Sequence, residues 1–256
     1  MKKGKISAIL LAAAFAVAAV VSCVLLSLVK RVEVRYLVSE NADVTGISRS
    51  LDALKGKCIA LVSDEDIEKA FDEHPYFYLA EKPVRAFPNI VRLTVKERRE
   101  VYTLSVGGKN YLLDENGILL AEIAQGTPKP AGRTLIDAEF SGITVKTAVL
   151  GKKLETSSDE LFNEFIEMTA AVSLTDNVKA VRLVSQPERS DVLYKTYTGV
   201  TIEIPDANDS GKEKAVAAFK AYNDSANDYY KSFDRITAIK MKTGEIVVEW
   251  TENLYD

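Results

Sequence analysis

His74 is the single histidine in the chain, and it stands directly before Pro75. General-base catalysis needs an imidazole held by an orienting partner. None lies beside His74 in sequence, so it reads as a helix-end residue. One histidine also rules out a multi-histidine metal cluster. Cys58 lies in the apolar run Cys58-Ile59-Ala60-Leu61-Val62 and reads as a small buried hydrophobe rather than a nucleophile. The other cysteine, Cys23, sits inside a longer apolar run, so no intramolecular disulfide staples the body. Asp64, Glu65 and Asp66 follow Ser63 and suit a helix N-terminus, where a hydroxyl caps and the dipole favours anions. Asp206, Asn208 and Asp209 precede Gly211 but lack the spacing and closing glutamate of a calcium loop. No phosphate-binding loop, G-x-S-x-G or H-E-x-x-H occurs. The expectation is a protein with no catalytic residues, no cofactor and no metal.

Charge narrows the partners. The chain of 256 residues carries 33 basic and 37 acidic side chains, a net −4. Residues 1–31 hold five basic groups and no acidic one, which leaves 28 against 37, or −9, in the remainder. An acidic body of that kind is not a nucleic-acid binder by charge, and anionic surfaces repel it.

The elements that would position these residues begin with the run Ile6 to Val29, which has no charge, proline or glycine. A bilayer core needs about 20 apolar helical residues, so 6–29 predicts a single transmembrane helix behind a short tail, 1–5. Lys2, Lys3 and Lys5 place that tail in the cytoplasm and the body outside, while Lys30, Arg31 and Arg35 pull the other way. A cleaved signal peptide has a shorter apolar core. A lipid attachment site at Cys23 fits poorly, because mostly apolar residues follow it.

Residues 32–38 alternate with period two and predict a strand. Short helices are expected over 48–54 and from Ser63 to Pro75, the second with Ile67, Ala70 and Phe71 inward. Tyr76–Phe87 reads as one strand with Phe77, Leu79 and Val84 toward the core. Residues 90–97 alternate again, with Val91, Leu93 and Val95 on one face. Strand, helix, helix, strand, strand makes a small α+β unit.

From residue 100 strands and turns dominate. Asp114-Glu115-Asn116-Gly117 predicts a hairpin turn. A helix is expected from Ser157 or Ser158 to Val172, and a second over about 212–233 with Val216, Phe219, Tyr222, Ala226 and Tyr230 inward. The chain closes on a hairpin, Ile236–Met241 and Glu245–Trp250. A last strand can be a sheet edge, whose unpaired backbone groups accept a partner strand. Glu245 and Glu249 on that strand fit two readings: charges that protect the edge, or flanks of a docking site.

Residues 75–77, Pro-Tyr-Phe, and the phrase Val84-Arg85-Ala86-Phe87-Pro88-Asn89-Ile90-Val91-Arg92-Leu93-Thr94-Val95-Lys96-Glu97-Arg98 resemble the bacterial cell-division family FtsQ, called DivIB in Gram-positive bacteria. Tyr111-Leu112-Leu113-Asp114-Glu115-Asn116-Gly117 is similar to a hairpin of that family's β domain, and Gly244 and Trp250 look like its closing hairpin. The resemblance implies a transmembrane helix, an α+β POTRA domain over 30–99, an α+β domain with a mostly antiparallel sheet over 100–250, and a tail, 251–256. It departs from the family at Glu100, where a proline is usual, at His74-Pro75-Tyr76 for Leu-Pro-Trp, at Leu135-Ile136-Asp137-Ala138, and at Lys240-Met241 for Arg-Tyr.

The implied function is a non-enzymatic, membrane-anchored scaffold of the divisome that regulates septal peptidoglycan synthesis. Its implied place is the cell membrane at the division septum. The implied partners are FtsL-like and FtsB/DivIC-like proteins. The implied partner-binding residues are Lys240, Met241, Thr243, Gly244, Val247 and Trp250. A membrane-anchored cell-wall enzyme and a lipoprotein or secreted binding module are the alternatives.

Overall fold

In a computed structural model the described residues are 14–22, 26–86, 88–124, 135–172, 178–224 and 233–252. The chain divides into two compact units, Met1–Arg98 and Arg99–Asp256.

In the first unit β-branched alternation makes strand β1 (Arg31–Leu37), which runs parallel to β4 (Ile90–Glu97). Between them come helix α1 (Thr45–Asp52), the short helix α2 (Asp64–Glu68) with a 3-10 turn over Lys69–Phe71, and strands β2 (Phe77–Leu79) and β3 (Val84–Ala86). Val91, Leu93 and Val95 are 0%, 3% and 0% exposed, on the face that meets Ile47, Leu51 and Ile67. Burying one such side chain is worth about 1.5–3 kcal/mol, so this stripe is what holds the helices on the sheet. The stretch read as one strand over 76–87 is two. Both pair antiparallel with β4, end to end, and Val84 is exposed; residue 87 lies outside the described residues.

The expected transmembrane helix is corrected. Among the described residues no helix is long and apolar enough to cross a membrane. Residues 6–13 and 23–25 lie outside the described set. Residues 14–22 are helical, but the end of the run is not. Val29 donates its N–H to the Lys57 carbonyl (2.8 Å), Ile59 donates to Ser27 (2.8 Å), and Leu28 bridges Cys58 antiparallel. Val29 is 2% exposed in the first unit's core. The apolar Leu28 and Val29 therefore serve a folded domain, and the backbone groups a helix would use are spent on a bridge.

The second unit is built on a nine-stranded sheet. Its strands are β5 (Tyr102–Val106), β6 (Lys109–Leu113), β7 (Leu119–Ile123), β8 (Ile136–Ser141), β11 (Val178–Gln186), β12 (Arg189–Thr196), β13 (Thr201–Ile204), β14 (Arg235–Lys240) and β15 (Ile246–Thr251). The order is β15-β14-β13-β12-β11-β8-β5-β6-β7. The sheet is mixed: β5–β8, β8–β11 and β13–β14 are parallel, and its other five pairings are antiparallel. A small antiparallel pair, β9 (Val145–Thr147) and β10 (Glu155–Thr156), lies off it.

Helices α3 (Asp159–Val172) and α4 (Gly211–Asn223) share one apolar core with the sheet. Phe165 lies 5.3 Å from Tyr102 and 6.5 Å from Tyr194, which lies 5.3 Å from Phe219, all ring to ring. The inward stripe of α4 is Ala215, Ala218, Phe219 and Tyr222, and Val216 is exposed. Ala226 and Tyr230, also read as inward, lie outside the described residues.

A candidate partner-binding edge

The terminal hairpin owes its shape to one glycine. Gly244 sits at φ +89°, in the left-handed region that glycine enters without strain. Its N–H donates to the Met241 carbonyl (2.8 Å), and the Met241 N–H donates to Glu245 (2.7 Å). This three-residue loop sets the phase of everything after it. Met241 and Glu245 form a hydrogen-bonded pair, and such pairs alternate along an antiparallel ladder. With the register Ile239↔Val247, Ala238↔Val248 and Thr237↔Glu249, Val247 and Glu249 therefore spend their backbone groups on β14. Those of Ile246 and Val248 point away from it, toward the open side of β15. No other described strand pairs with β15.

The opposite edge is different. At β7, Leu119 donates to Lys152 (2.9 Å) and accepts from Gly151 (2.8 Å), and Ile118 bridges Lys153. A loop thus covers the start of that edge, in the way exposed edges are commonly blunted.

Side chains on β15 divide by face. Ile246, Val248 and Trp250 pack against the core. Val247, half-buried, and Glu249, exposed, lie on the outer face with Thr237 and Ile239 of β14. The six residues expected to bind a partner are thus gathered on one hairpin but not on one surface. Met241, Thr243 and Gly244 are exposed at its tip. Lys240 is engaged within the molecule: its Nζ donates to Asp209 Oδ1 (2.9 Å) and Ser210 Oγ (2.8 Å). That contact is the first cause holding the Asp209 carboxyl below its ordinary range.

Asp209 belongs to the loop read in sequence as a poor calcium site. A lysine serves it instead. Lys214, 3% exposed, donates to the carbonyls of Pro205 (2.8 Å) and Asp206 (3.1 Å), and burial pushes its ammonium pKa down. Among the described residues no cluster of histidine, cysteine and carboxylate side chains could hold a metal.

The other residues with chemical potential are accounted for locally. His74 is not alone: its Nε2 lies 2.9 Å from Ser50 Oγ on α1. A Cβ added at Gly46, one turn earlier, would come within 2.8 Å of the ring. Cys58 is half-buried rather than buried, with Sγ 3.3 Å from Ser27 Oγ. That contact and the Ala60 N–H lower its thiol pKa. Ser63 and Asp66 form a reciprocal capping box. The Asp66 carboxylate is held well below its ordinary range by Lys57 first and Ser63 second. Asp114 is the one buried carboxylate among the described residues, and it accepts N–H groups from Asn116 and Ile118 in the β6–β7 turn.

Sequence reasoning did not single out the backbone of Ile246 and Val248. The signal was present: a Lys242-Thr243-Gly244 loop with glycine third fixes which residues face outward.

Comparison with known proteins gives one relative of note. The chain is 33% identical over 90 residues to the cell division protein DivIB of Clostridium acetobutylicum. The match takes in 35% of this chain and 33% of that protein's length. No protein-family model matches.

Proposed function

We propose that this chain is a non-enzymatic bacterial cell-division protein that acts at the septum by taking a partner strand onto β15. The observation that carries the reading is the open edge: β15 ends a nine-stranded sheet and turns the backbone groups of Ile246 and Val248 outward. A partner adding there would gain main-chain hydrogen bonds, with side-chain pockets supplying specificity. The partial likeness to a cell division protein supports the division role. The sequence phrase at residues 84–98 and the first unit's order of one strand, two helices and three strands also support it.

On this reading the partners are FtsL-like and DivIC-like proteins, and the assembly regulates septal peptidoglycan synthesis. Met241, Thr243, Gly244, Val247 and Trp250 are the flanking contacts, and Lys240 sets the hairpin through Asp209. The test is genetic. Depletion should leave undivided filaments, and a fluorescent fusion should collect at the septum. Wild type should restore division and Val248→Pro should not. Normal division after depletion would overturn the division role. Full rescue by Val248→Pro would move the site off β15.

A further inference from the structure

The outer face of the second unit carries a run of alternating charge that stops at β15. On β12 the Arg189 guanidinium bonds Asp191 (2.6 Å) and reaches across to Glu203 of β13 (2.8 Å). Arg235 of β14 bonds the other oxygen of Glu203 (3.2 Å). The register carries the row from Glu203 to Thr237 and on to Glu249. There it ends: neither Glu249 nor Glu245 makes an ion pair among the described residues, and both are exposed. Between them Val247 stands opposite Ile239, an apolar pair on the same face.

We infer, resting on the reading of β15 as a docking edge, that its occupant is an extended segment with a basic, an apolar and a basic side chain at positions i, i+2 and i+4, facing Glu245, Val247 and Glu249. The phase of the ladder makes this geometry specific. Residues 245, 247 and 249 face a docked antiparallel strand in its non-hydrogen-bonded pairs, where side chains approach most closely. Directly opposed charges of opposite sign stabilise such pairs, and like charges destabilise them.

A second copy of the chain is the occupant this arrangement rejects. Two antiparallel β15 strands centred on Val247 would set each Glu245 against the other copy's Glu249. The same two carboxylates therefore protect the edge from self-pairing and select a basic strand, the two halves of specificity.

The test uses two synthetic peptides with identical flanks, one with the core Lys-Thr-Val-Thr-Lys and one with Glu-Thr-Val-Thr-Glu. Each is titrated to millimolar concentration into the 15N-labelled full chain, read at the amides of Ile246 and Val248. The lysine peptide should bind about tenfold tighter, since two rungs change from repulsion to attraction, and the preference should shrink with salt. Glu245→Lys with Glu249→Lys should invert it. Equal binding of both peptides, abolished by Val248→Pro, would keep the edge and overturn the charge rule. No response at Ile246 and Val248 to either peptide would overturn the edge reading itself.

Discussion

A single missing methyl group seats His74. Gly46 lies in α1, where replacing glycine with alanine ordinarily stabilises a helix by about 0.5–1 kcal/mol. Here the new Cβ would meet the imidazole at 2.8 Å and force it off Ser50. Losing that hydrogen bond costs about 1 kcal/mol, which cancels the helix gain, so Gly46→Ala should bring no stabilisation. In the His74→Ala background the same change should become favourable. Chemical denaturation of the four proteins in that cycle measures it.

Acid gives a second check at this scale. The Asp66 carboxyl is lowered from 3.8 by Lys57 and Ser63, and Asp64 is lowered by Arg85. Groups depressed in the folded state contribute stability above the unfolded value and lose it as pH falls through the folded one. The first unit should thus begin to lose stability below about pH 4. Asp66→Asn should flatten that dependence in melting curves taken across the acid range. The phenol of Tyr194 is buried against the Thr169 hydroxyl, which lies close enough to offset part of the burial but makes no well-aligned hydrogen bond with it. Burial raises its pKa. Tyr194→Phe should be neutral or mildly stabilising, because an unsatisfied buried hydroxyl costs what its removal restores.

At the scale of elements, the two valines in the middle of β15 separate folding from docking. Val247→Pro removes a donor to β14 and should destabilise the hairpin by at least about 1 kcal/mol. Val248→Pro removes a donor that faces the open side and should leave the β14–β15 ladder intact. Amide exchange at Ile239 and Val247 distinguishes them. Much of this was legible in the residues. The alternation of 90–97, the Ser63 cap, the Asn116-Gly117 turn and the Lys242–Gly244 hairpin each carry a local physical signature, and each is found where it was read. What was not legible depended on distant pairing. β8 alternates apolar and polar residues, with Ile136 and Ala138 buried, but no local signal says that it is a central strand, parallel to both β5 and β11. Val216 looks apolar-periodic, yet the stripe of α4 runs one residue earlier, through Lys214, whose role no periodicity reveals.

For the whole molecule, the apolar run at 6–29 shows the limit of hydropathy. Counting apolar residues extended one element through Val29, while the fold takes Ser27–Val29 into a bridge with residues 56–59. Likewise the candidate site was legible as a hairpin and an edge strand, but not as a phase. Six residues were chosen by likeness to a family. The structure splits them between tip, core face and outer face, and it ties Lys240 to Asp209. The outward backbone groups and the unpaired glutamates emerge only once the register is known.

The central claim is that β15 receives a partner through the outward groups of Val248 and Ile246. Purification of the full chain from dividing cells, with quantitative recovery of FtsL-like and DivIC-like proteins, tests it most directly. The comparison is wild type against Val248→Pro, with Val248→Ala as the packing control. Recovery is expected with wild type and Val248→Ala, and loss with Val248→Pro at a melting temperature matching that of Val248→Ala. Equal recovery with all three would contradict it.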